Sequence, residues 1–304
     1  MIDMQLFMTK DGDICSVEGW WHPEDKVICN YIYLQHPDGD VEIEGNRYVK
    51  VIRKKDGSWR SFEEQLEFIK KFGRRYIRAY FIKHKMVIDK NKIKKFYDPF
   101  YTFKQFSRNY PKEFSDLKEF LKIVGIDEKE YDNIGMVGSY QVGLRKEKSD
   151  IDVLFRFNLE RNMEIFRKIT ALSSKKEMEV FDRGKKTPLR VYFKEKIFCC
   201  HFAYKNIEDI PKIFSRRYIN LGKVNCEIEV IDNIHSIYTP TILLGKIVRT
   251  GQKIVIVIYH GGNKGEYKVG DVLNVYGEKI DSGTGIFLNV EEVEKVYDEG
   301  KIRC

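Results

Sequence analysis

The segment at 135–155 constrains the fold of this chain most strongly, because it places a glycine turn and an acidic pair at the ends of two apolar strands. The first strand ends in a turn at Gly138-Ser139, and after ten intervening residues Asp150-Ile-Asp152 opens the second strand. Glycine lets the backbone approach a ligand closely, and the amide groups that follow such a turn favour an anion. Side chains at positions i and i+2 of a strand point the same way, so both carboxylates lie on one face.

The two carboxylates predict a site for a divalent cation. Like charges at this spacing raise each other's pKa unless a cation lies between them. Carboxylate oxygens suit Mg²⁺, which usually binds together with substrate phosphates. An anion-binding turn beside such a pair is what phosphoryl or nucleotidyl transfer requires.

The order of a Gly-Ser turn, ten residues and an Asp-apolar-Asp strand resembles the signature of the polymerase-beta-like nucleotidyltransferase superfamily. This resemblance implies a mixed sheet with helices, in which Gly138 and Ser139 bind the triphosphate of an NTP substrate. It also implies that Asp150 and Asp152 are catalytic and bind Mg²⁺ or Mn²⁺. The reaction expected from the resemblance is transfer of NMP from the NTP to a hydroxyl acceptor, for which we expect RNA or DNA.

Other segments add weaker indications of the same kind. The motifs Gly19-Trp-Trp-His-Pro23 and Ser236-Ile-Tyr-Thr-Pro240 make the layout similar to an uncharacterised group of archaeal predicted nucleotidyltransferases. On the loop between the turn and the acidic pair, Arg145 and Lys148 are candidates for neutralising phosphate charge. Ordinary surface basicity also explains both residues.

The sequence departs from the superfamily pattern at the third carboxylate, which active members commonly place on a later strand. The strand expected to carry it, 197–203, has no acidic residue, and His201 stands where the acid is expected. We predict His201 as a third catalytic residue, acting as a base or as a softer metal ligand. Glu227 and Glu229 are alternative acids, although a solvated strand face explains them too.

The missing acid keeps other functions open. The first alternative is a catalytically degenerate protein that keeps the nucleotidyltransferase fold and acts as a nucleic-acid or nucleotide binding module. The second is transfer to a small molecule or a protein side chain, which requires neither a basic surface nor a barrel.

The length of 304 residues predicts several domains, and the order of elements predicts an α+β fold. We expect three parts: an N-terminal α+β accessory module with a basic helical connector over 1–98, the nucleotidyltransferase core over 99–218, and a β-rich domain over 219–304. Short, frequent strands in the last part suggest a small barrel or a sandwich, and we favour a barrel of the OB-like or another small type. Such a barrel binds single strands or serves as a structural cap.

Local patterns predict several elements. Apolar residues at helical spacing predict a helix over 61–72, with Ser61 as N-cap and Glu64 three residues later. Further helices are expected over 115–124 and 159–172, and a hairpin over 189–204. The aromatic residues Trp20, Trp21, His22 and Tyr33 favour a small β core over a base-stacking surface.

The net charge of +8 permits a polyanionic partner without requiring one. Much of the positive charge lies in the connector at 70–95, where basic residues alternate with aromatic ones. This run is typical of a track for a phosphate backbone, and equally of a solvated helix face.

The chain is expected to be cytoplasmic and free of membrane contacts. Its start lacks the features of a signal peptide, and no run approaches the ~20 apolar residues of a membrane helix. The six cysteines have no spacing typical of a disulfide framework, so reduced thiols are expected.

Overall fold

The computed structural model describes residues 1–54, 56–74, 77–78, 85–144, 149–182, 184–215 and 217–296. The chain forms two compact units, Met1–Lys205 and Asn206–Cys304. Both α-helices and β-sheets are present, as the predicted α+β class requires. The predicted division into three parts, with a boundary inside the first unit, remains a prediction. Within the described ranges, no helix is long and apolar enough to cross a membrane.

The N-terminal part of the first unit is an eight-stranded sheet with one helix. Its main strand order is β4-β5-β3-β2-β1-β8, with β7 pairing with β3 and β6 with β7. The strands are β1 (Leu6–Thr9), β2 (Ile14–Val17), β3 (Lys26–Gln35), β4 (Val41–Ile43), β5 (Asn46–Lys50), β6 (Ile77–Arg78), β7 (Met86–Asp89) and β8 (Ile93–Phe96).

Helix α1 (Phe62–Lys71) begins at the capping box predicted from the sequence. The Ser61 side chain accepts a hydrogen bond from the Glu64 backbone N–H, and the Glu64 side chain accepts from the Ser61 N–H. The helix buries Leu66 and Ile69 against the sheet core. The predicted helix and its N-cap are therefore confirmed.

Both faces of this sheet are buried, because side chains alternate across each strand. On β1, Phe7 belongs to the cluster that packs on α1, whereas Leu6 and Met8 belong to a second cluster on the opposite face. The second cluster includes Val142 and is flanked by Leu144, two residues that follow the Gly-Ser turn. The sheet therefore packs directly against the segment that carries the predicted phosphate-binding turn.

The prediction of a helical connector is wrong for the described residues. The structure places strands β6, β7 and β8 there, and a single 3₁₀ turn at Lys90–Lys92. The apolar run at the start of β7 is buried and pairs with β3, so this segment forms a strand despite the many basic residues around it. Several of those basic residues form ion pairs, namely Lys70 with Glu67, Arg74 with Asp13, Lys85 with Glu18 and Lys95 with Glu44.

The second sheet of the first unit has four strands in the order β13-β14-β10-β9. Strands β10 and β14 are parallel, and the other two pairings are antiparallel. The remaining elements of the unit, in chain order, are α2 (Pro99–Asn109), α3 (Pro111–Ile123), β9 (Ile134–Met136), β10 (Ile151–Phe155), α4 (Leu159–Ser173), the short pair β11 (Phe181–Asp182) and β12 (Lys185–Lys186), β13 (Arg190–Phe193) and β14 (Lys196–Phe202).

The predicted helices over 115–124 and 159–172 correspond to α3 and α4, and the predicted hairpin to β13 and β14. Phe120 of α3 stacks on Phe198 of β14, with ring centroids 4.5 Å apart. The hairpin turns at Lys194 and Glu195, which both have positive φ, as two-residue hairpin turns require. Helix α2 was not predicted, although its start carries two common signals of a helix N-terminus. Asp98 is the N-cap and Pro99 is the first residue of the helix.

The second unit contains a closed five-stranded barrel. Its strands, β15 (Ile219–Asp232), β16 (Thr241–Ile247), β17 (Lys253–Ile258), β18 (Val272–Asp281) and β19 (Ile286–Lys295), close in the order β15-β16-β17-β19-β18. Only the pairing of β17 with β19 is parallel among these strands. Apolar side chains that include Ile228, Ile256 and Leu288 fill the interior. The small barrel predicted from the short strands is confirmed.

Candidate active site

The Gly-Ser turn and the acidic pair come into direct contact. Gly138 opens the 3₁₀ turn Gly138–Val142 with φ +66°, in the left-handed region. A Cβ atom at this position would overlap the Asp152 carboxylate, lying 2.9 Å from Cγ and closer still to Oδ2. The Val137 backbone N–H also donates to the Asp152 carbonyl at 3.0 Å. Only glycine therefore lets the turn approach the acidic strand this closely.

Asp150 lies just before β10 and is half-buried. Burial raises the pKa of its carboxyl, and the negative charge of Asp152 raises it further, while the charge of Arg190 acts in the opposite direction. The Cys199 thiol donates a hydrogen bond to Asp150 Oδ2 at 3.7 Å. Burial also raises the pKa of that thiol, so Cys199 stays protonated and can act as this donor.

His201 contacts the other carboxylate. Its Nε2 lies 3.5 Å from Asp152 Oδ1, while its buried Nδ1 has no hydrogen-bond partner within the described residues. Cys199 and His201 are two residues apart on β14, so both side chains face the acidic pair. The His201 tautomer that carries its proton on Nε2 would donate it to Asp152.

Arg190 is a site residue that the sequence did not indicate. It lies opposite Cys199 in the β13–β14 pair, and its Nη1 is 3.4 Å from Asp182 Oδ2. Burial alone would lower the pKa of the guanidinium, but the nearby carboxylates of Asp182, Asp150 and Asp152 raise it. Arg190 therefore supplies a fixed positive charge beside the acidic pair.

A third acidic ligand is not found in the described part of the chain. No group of three or more His, Cys, Asp or Glu side chains there converges in a way that could hold a metal ion. The alternative acids lie on β15 of the barrel, where Glu229 forms an ion pair with Lys246 at 2.9 Å. That pairing is typical of a solvated strand face.

The N-terminal sheet forms part of the surroundings of the site. The Gln141 side chain accepts a hydrogen bond from the Leu6 N–H and donates one to the Met4 carbonyl, both at 3.0 Å. Tyr33 of β3 is buried, and its burial together with the charge of Asp152 raises its pKa to about 12. The charge of Arg53 acts on Asp150 and lowers the pKa of that carboxyl. No local pattern indicates these relationships, because the partners are distant in sequence, 135 residues apart for Gln141 and Leu6.

Two further sets of predicted residues have different outcomes. Arg145 and Lys148 lie outside the described residues. Of the aromatic residues near the N-terminus, Trp20 packs edge-on against Tyr204 with ring centroids 5.9 Å apart. Burial lowers the pKa of His22 to about 4, and its Nδ1 accepts a hydrogen bond from the Ile28 N–H. These contacts are those of a packed core, the interpretation that the sequence favoured.

Comparison with known families agrees with the geometry. Residues 117–259 match a family model described as a nucleotidyltransferase domain, a span that contains the turn, the acidic pair and His201. The resemblance to the polymerase-beta-like nucleotidyltransferase superfamily is confirmed over these residues. Searches among curated proteins and among solved structures found no significant match.

Proposed function

We propose that the chain is a Mg²⁺-dependent nucleotidyltransferase that transfers NMP from an NTP to a hydroxyl of a nucleic acid. The observation that carries the proposal is the contact between the Gly138 turn and the Asp152 carboxylate. It sets an anion-binding turn against two acidic side chains on one face of a strand. That juxtaposition suits a triphosphate whose charge is shared between backbone amides and a cation.

The residues at the site fit Mg²⁺. Asp150 and Asp152 offer oxygen donors on one face, and their mutual repulsion contributes to the raised pKa of Asp150. Mg²⁺ is typically held by one or two carboxylates together with substrate phosphates, so the pair does not require a third protein ligand. When bound, the cation would neutralise charge on the phosphates of the NTP.

The side chains have distinct roles in this reaction. Gly138 and Ser139 bind the β- and γ-phosphates and orient the α-phosphorus toward the acceptor. The acceptor oxygen forms a bond to the α-phosphorus, while the bond to the bridging oxygen breaks and pyrophosphate leaves. A carboxylate of the acidic pair takes the proton of the hydroxyl as the new bond forms. Arg145 and Lys148 remain candidates for binding phosphate.

His201 acts in this scheme through Asp152. The 3.5 Å contact from Nε2 to Oδ1 holds the carboxylate toward the Gly138 turn. Residues that orient a metal-binding carboxylate in this way typically alter metal affinity when removed. His201 is therefore proposed as a positioning residue that occupies the place of the third acid.

One observation favours a second function. The lack of a converging third ligand in the described ranges is what a catalytically degenerate member would also have. Such a protein would use the same fold to bind nucleotide or nucleic acid without transfer. It would bind nucleic acid in a salt-sensitive manner that does not depend on the acidic pair.

A transfer assay separates the two functions. The full chain is incubated with Mg²⁺ and with each labelled NTP in turn. Each reaction contains RNA, DNA or no added acceptor, and the labelled product is resolved by electrophoresis. We expect transfer by the wild-type chain and its loss in Asp150→Asn and Asp152→Asn. The matched control is Asp132→Asn, at a carboxylate whose side chain is 85% exposed. Undiminished transfer by both site variants would refute the proposed function.

A further inference from the structure

A cavity of about 740 Å³ opens in the N-terminal module, between the end of β5, the loop that follows it and helix α1. Its volume is in the range of small-molecule sites. Five of its lining residues are Lys or Arg and two are Asp, so the lining is basic. The family match begins after this module, at residue 117, and does not assign the cavity a role.

Two cations of the lining are available to a ligand. Lys54 is engaged with Glu64 at 2.6 Å, and Arg60 donates to the carbonyls of Lys50 and Val51. Neither Arg53 nor Lys71 forms an ion pair with a carboxylate in the described part of the chain. The cavity therefore keeps positive charge that its own acidic residues do not neutralise.

Aromatic rings lie in the cavity wall and beside it. Within the wall, His36 packs edge-on against Phe72, with ring centroids 4.8 Å apart. Outside the lining, the Arg53 guanidinium lies 4.3 Å above the ring of Trp59, which is 36% exposed. Cations beside exposed aromatic rings are the combination that binds the backbone and bases of a single strand. An acidic peptide would use the cations but not the rings.

The same wall adjoins the buried cluster that packs on the Gly138 turn. Lys50 lines the cavity and lies 5.9 Å from the ring centroid of Tyr33, which belongs to the same buried cluster as Val142 of that turn. The Gln141 side chain, which belongs to the Gly138 turn, also forms hydrogen bonds with Leu6 and Met4. These bonds hold the N-terminal sheet, which carries the cavity wall, against that turn.

We propose that this cavity binds a phosphate-bearing nucleotide of the acceptor, a single-stranded nucleic acid whose terminal hydroxyl is thereby presented to the acidic pair. The inference rests on the proposed function, which assigns the triphosphate to the Gly138-Ser139 turn. The basic cavity of the N-terminal module is then left for the other reactant. Arg53 and Lys71 bind its phosphates, and Trp59 stacks on a base.

The test measures binding without chemistry. Fluorescence anisotropy follows a labelled single-stranded 12-mer, as RNA and as DNA, binding to the full chain in EDTA. We expect Arg53→Glu and Lys71→Glu each to raise Kd about tenfold and to reduce the dependence of log Kd on log salt by about 0.7 per lost phosphate contact. Trp59→Ala should raise Kd by about tenfold without changing that dependence. The matched control is Lys112→Glu at an exposed lysine of α3.

Each result supports or overturns the inference. Equal Kd values for wild type, Arg53→Glu and Lys71→Glu overturn it, provided that thermal unfolding shows both variants folded. Weakened binding of ATP with unchanged binding of the 12-mer assigns the cavity to the NTP and also overturns it. Displacement of the 12-mer by polyglutamate of equal charge reveals a general polyanion surface and has the same consequence.

The proposed function can fail independently. Because the anisotropy assay contains no Mg²⁺, it measures binding of the 12-mer apart from transfer. If the wild-type chain never transfers nucleotide but Lys71→Glu loses binding of the 12-mer, the cavity is supported as a binding site and the transferase function is rejected. Transfer that persists with unaltered acceptor KM in the cavity variants would support the transferase and reject the cavity.

Discussion

Gly138 and Asp152 are in contact across the candidate active site, so closely that a Cβ atom on residue 138 would overlap the carboxylate. The two residues belong to opposite ends of the motif found in the sequence. Their contact fixes the distance between the anion-binding turn and the acidic strand. Changes at either residue, or at the side chains that hold the two together, should therefore alter transfer or stability.

Replacing Gly138 by alanine should impair both stability and transfer. The left-handed backbone costs an alanine about 1–2 kcal/mol. The added methyl group would also displace Asp152, and a displacement of about 1 Å at a reacting centre costs on the order of 100-fold in rate. Thermal unfolding and steady-state transfer kinetics measure the two effects.

Gly143→Ala is a matched control for this experiment. Gly143 has φ +70°, and a methyl group added there would meet no heavy atom of the described residues within 4 Å beyond its chain neighbours. The variant therefore shares the backbone strain without the overlap. We expect a similar loss of stability with transfer retained. Equal loss of transfer in both variants would show that strain alone, not contact with Asp152, limits the reaction.

Removing the Gln141 side chain should destabilise the first unit. Gln141→Ala leaves the Leu6 N–H and the Met4 carbonyl without their partner, at a cost of about 1–3 kcal/mol. Gln65→Ala removes a single half-buried bond to the Arg60 carbonyl and should cost less. Denaturant unfolding compares the two, and an unchanged midpoint in Gln141→Ala would contradict the role of Gln141 as the link between turn and sheet.

The acidic pair should lower the stability of the metal-free protein at neutral pH. The pKa of Asp150 is higher in the folded protein than its ordinary value of 3.8, because burial and Asp152 oppose its charge. The folded state therefore holds the proton more tightly, and stability falls as the pH rises from about 3.8 through the folded-state pKa.

Asp150→Asn removes this cost. In EDTA, the variant should be more stable than wild type above the folded-state pKa of Asp150, and the difference should shrink as the pH falls toward 3.8. Denaturant unfolding between about pH 4 and pH 8, a range that begins near the ordinary carboxylate pKa, measures this difference in stability. A variant less stable than wild type at neutral pH would contradict the repulsion.

His201→Ala should weaken the use of Mg²⁺ more than the binding of nucleotide. Loss of a residue that orients a metal-binding carboxylate typically costs about 10- to 100-fold in metal affinity or activity. We expect the Mg²⁺ concentration for half-maximal transfer to rise by that factor, with the KM for NTP nearly unchanged. His201→Asp, which supplies the missing acid, should reverse the increase, and His260→Ala at an exposed barrel loop is the control.

Much of the site follows from local sequence. The Gly138-Ser139 turn and the Asp150-Ile-Asp152 strand are short segments whose geometry depends on glycine and on strand alternation. The capping box at Ser61 and the hairpin at 194–195 are equally local, and both formed as expected.

Other parts depend on partners that are distant in sequence. Gln141 bonds to Leu6 of β1 across 135 residues, and Tyr33, whose pKa responds to the charge of Asp152, lies on a strand of the other sheet. The described part of the connector was wrongly predicted as helical, because its many basic residues are typical of a solvated helix. Strand β7 in this segment forms through pairing with β3, which is distant in sequence. Long-range pairing of this kind leaves no periodic pattern in the sequence.

The fate of the two ends of the triphosphate tests the account most directly. The wild-type chain is incubated with Mg²⁺, a single-stranded acceptor and the same NTP labelled at either the α- or the γ-phosphate. Nucleotidyl transfer predicts that the α-label enters the acceptor, that the γ-label leaves as pyrophosphate, and that both signals vanish in Asp152→Asn. Entry of the γ-label into the acceptor, or α-label transfer that survives in Asp152→Asn, would contradict it.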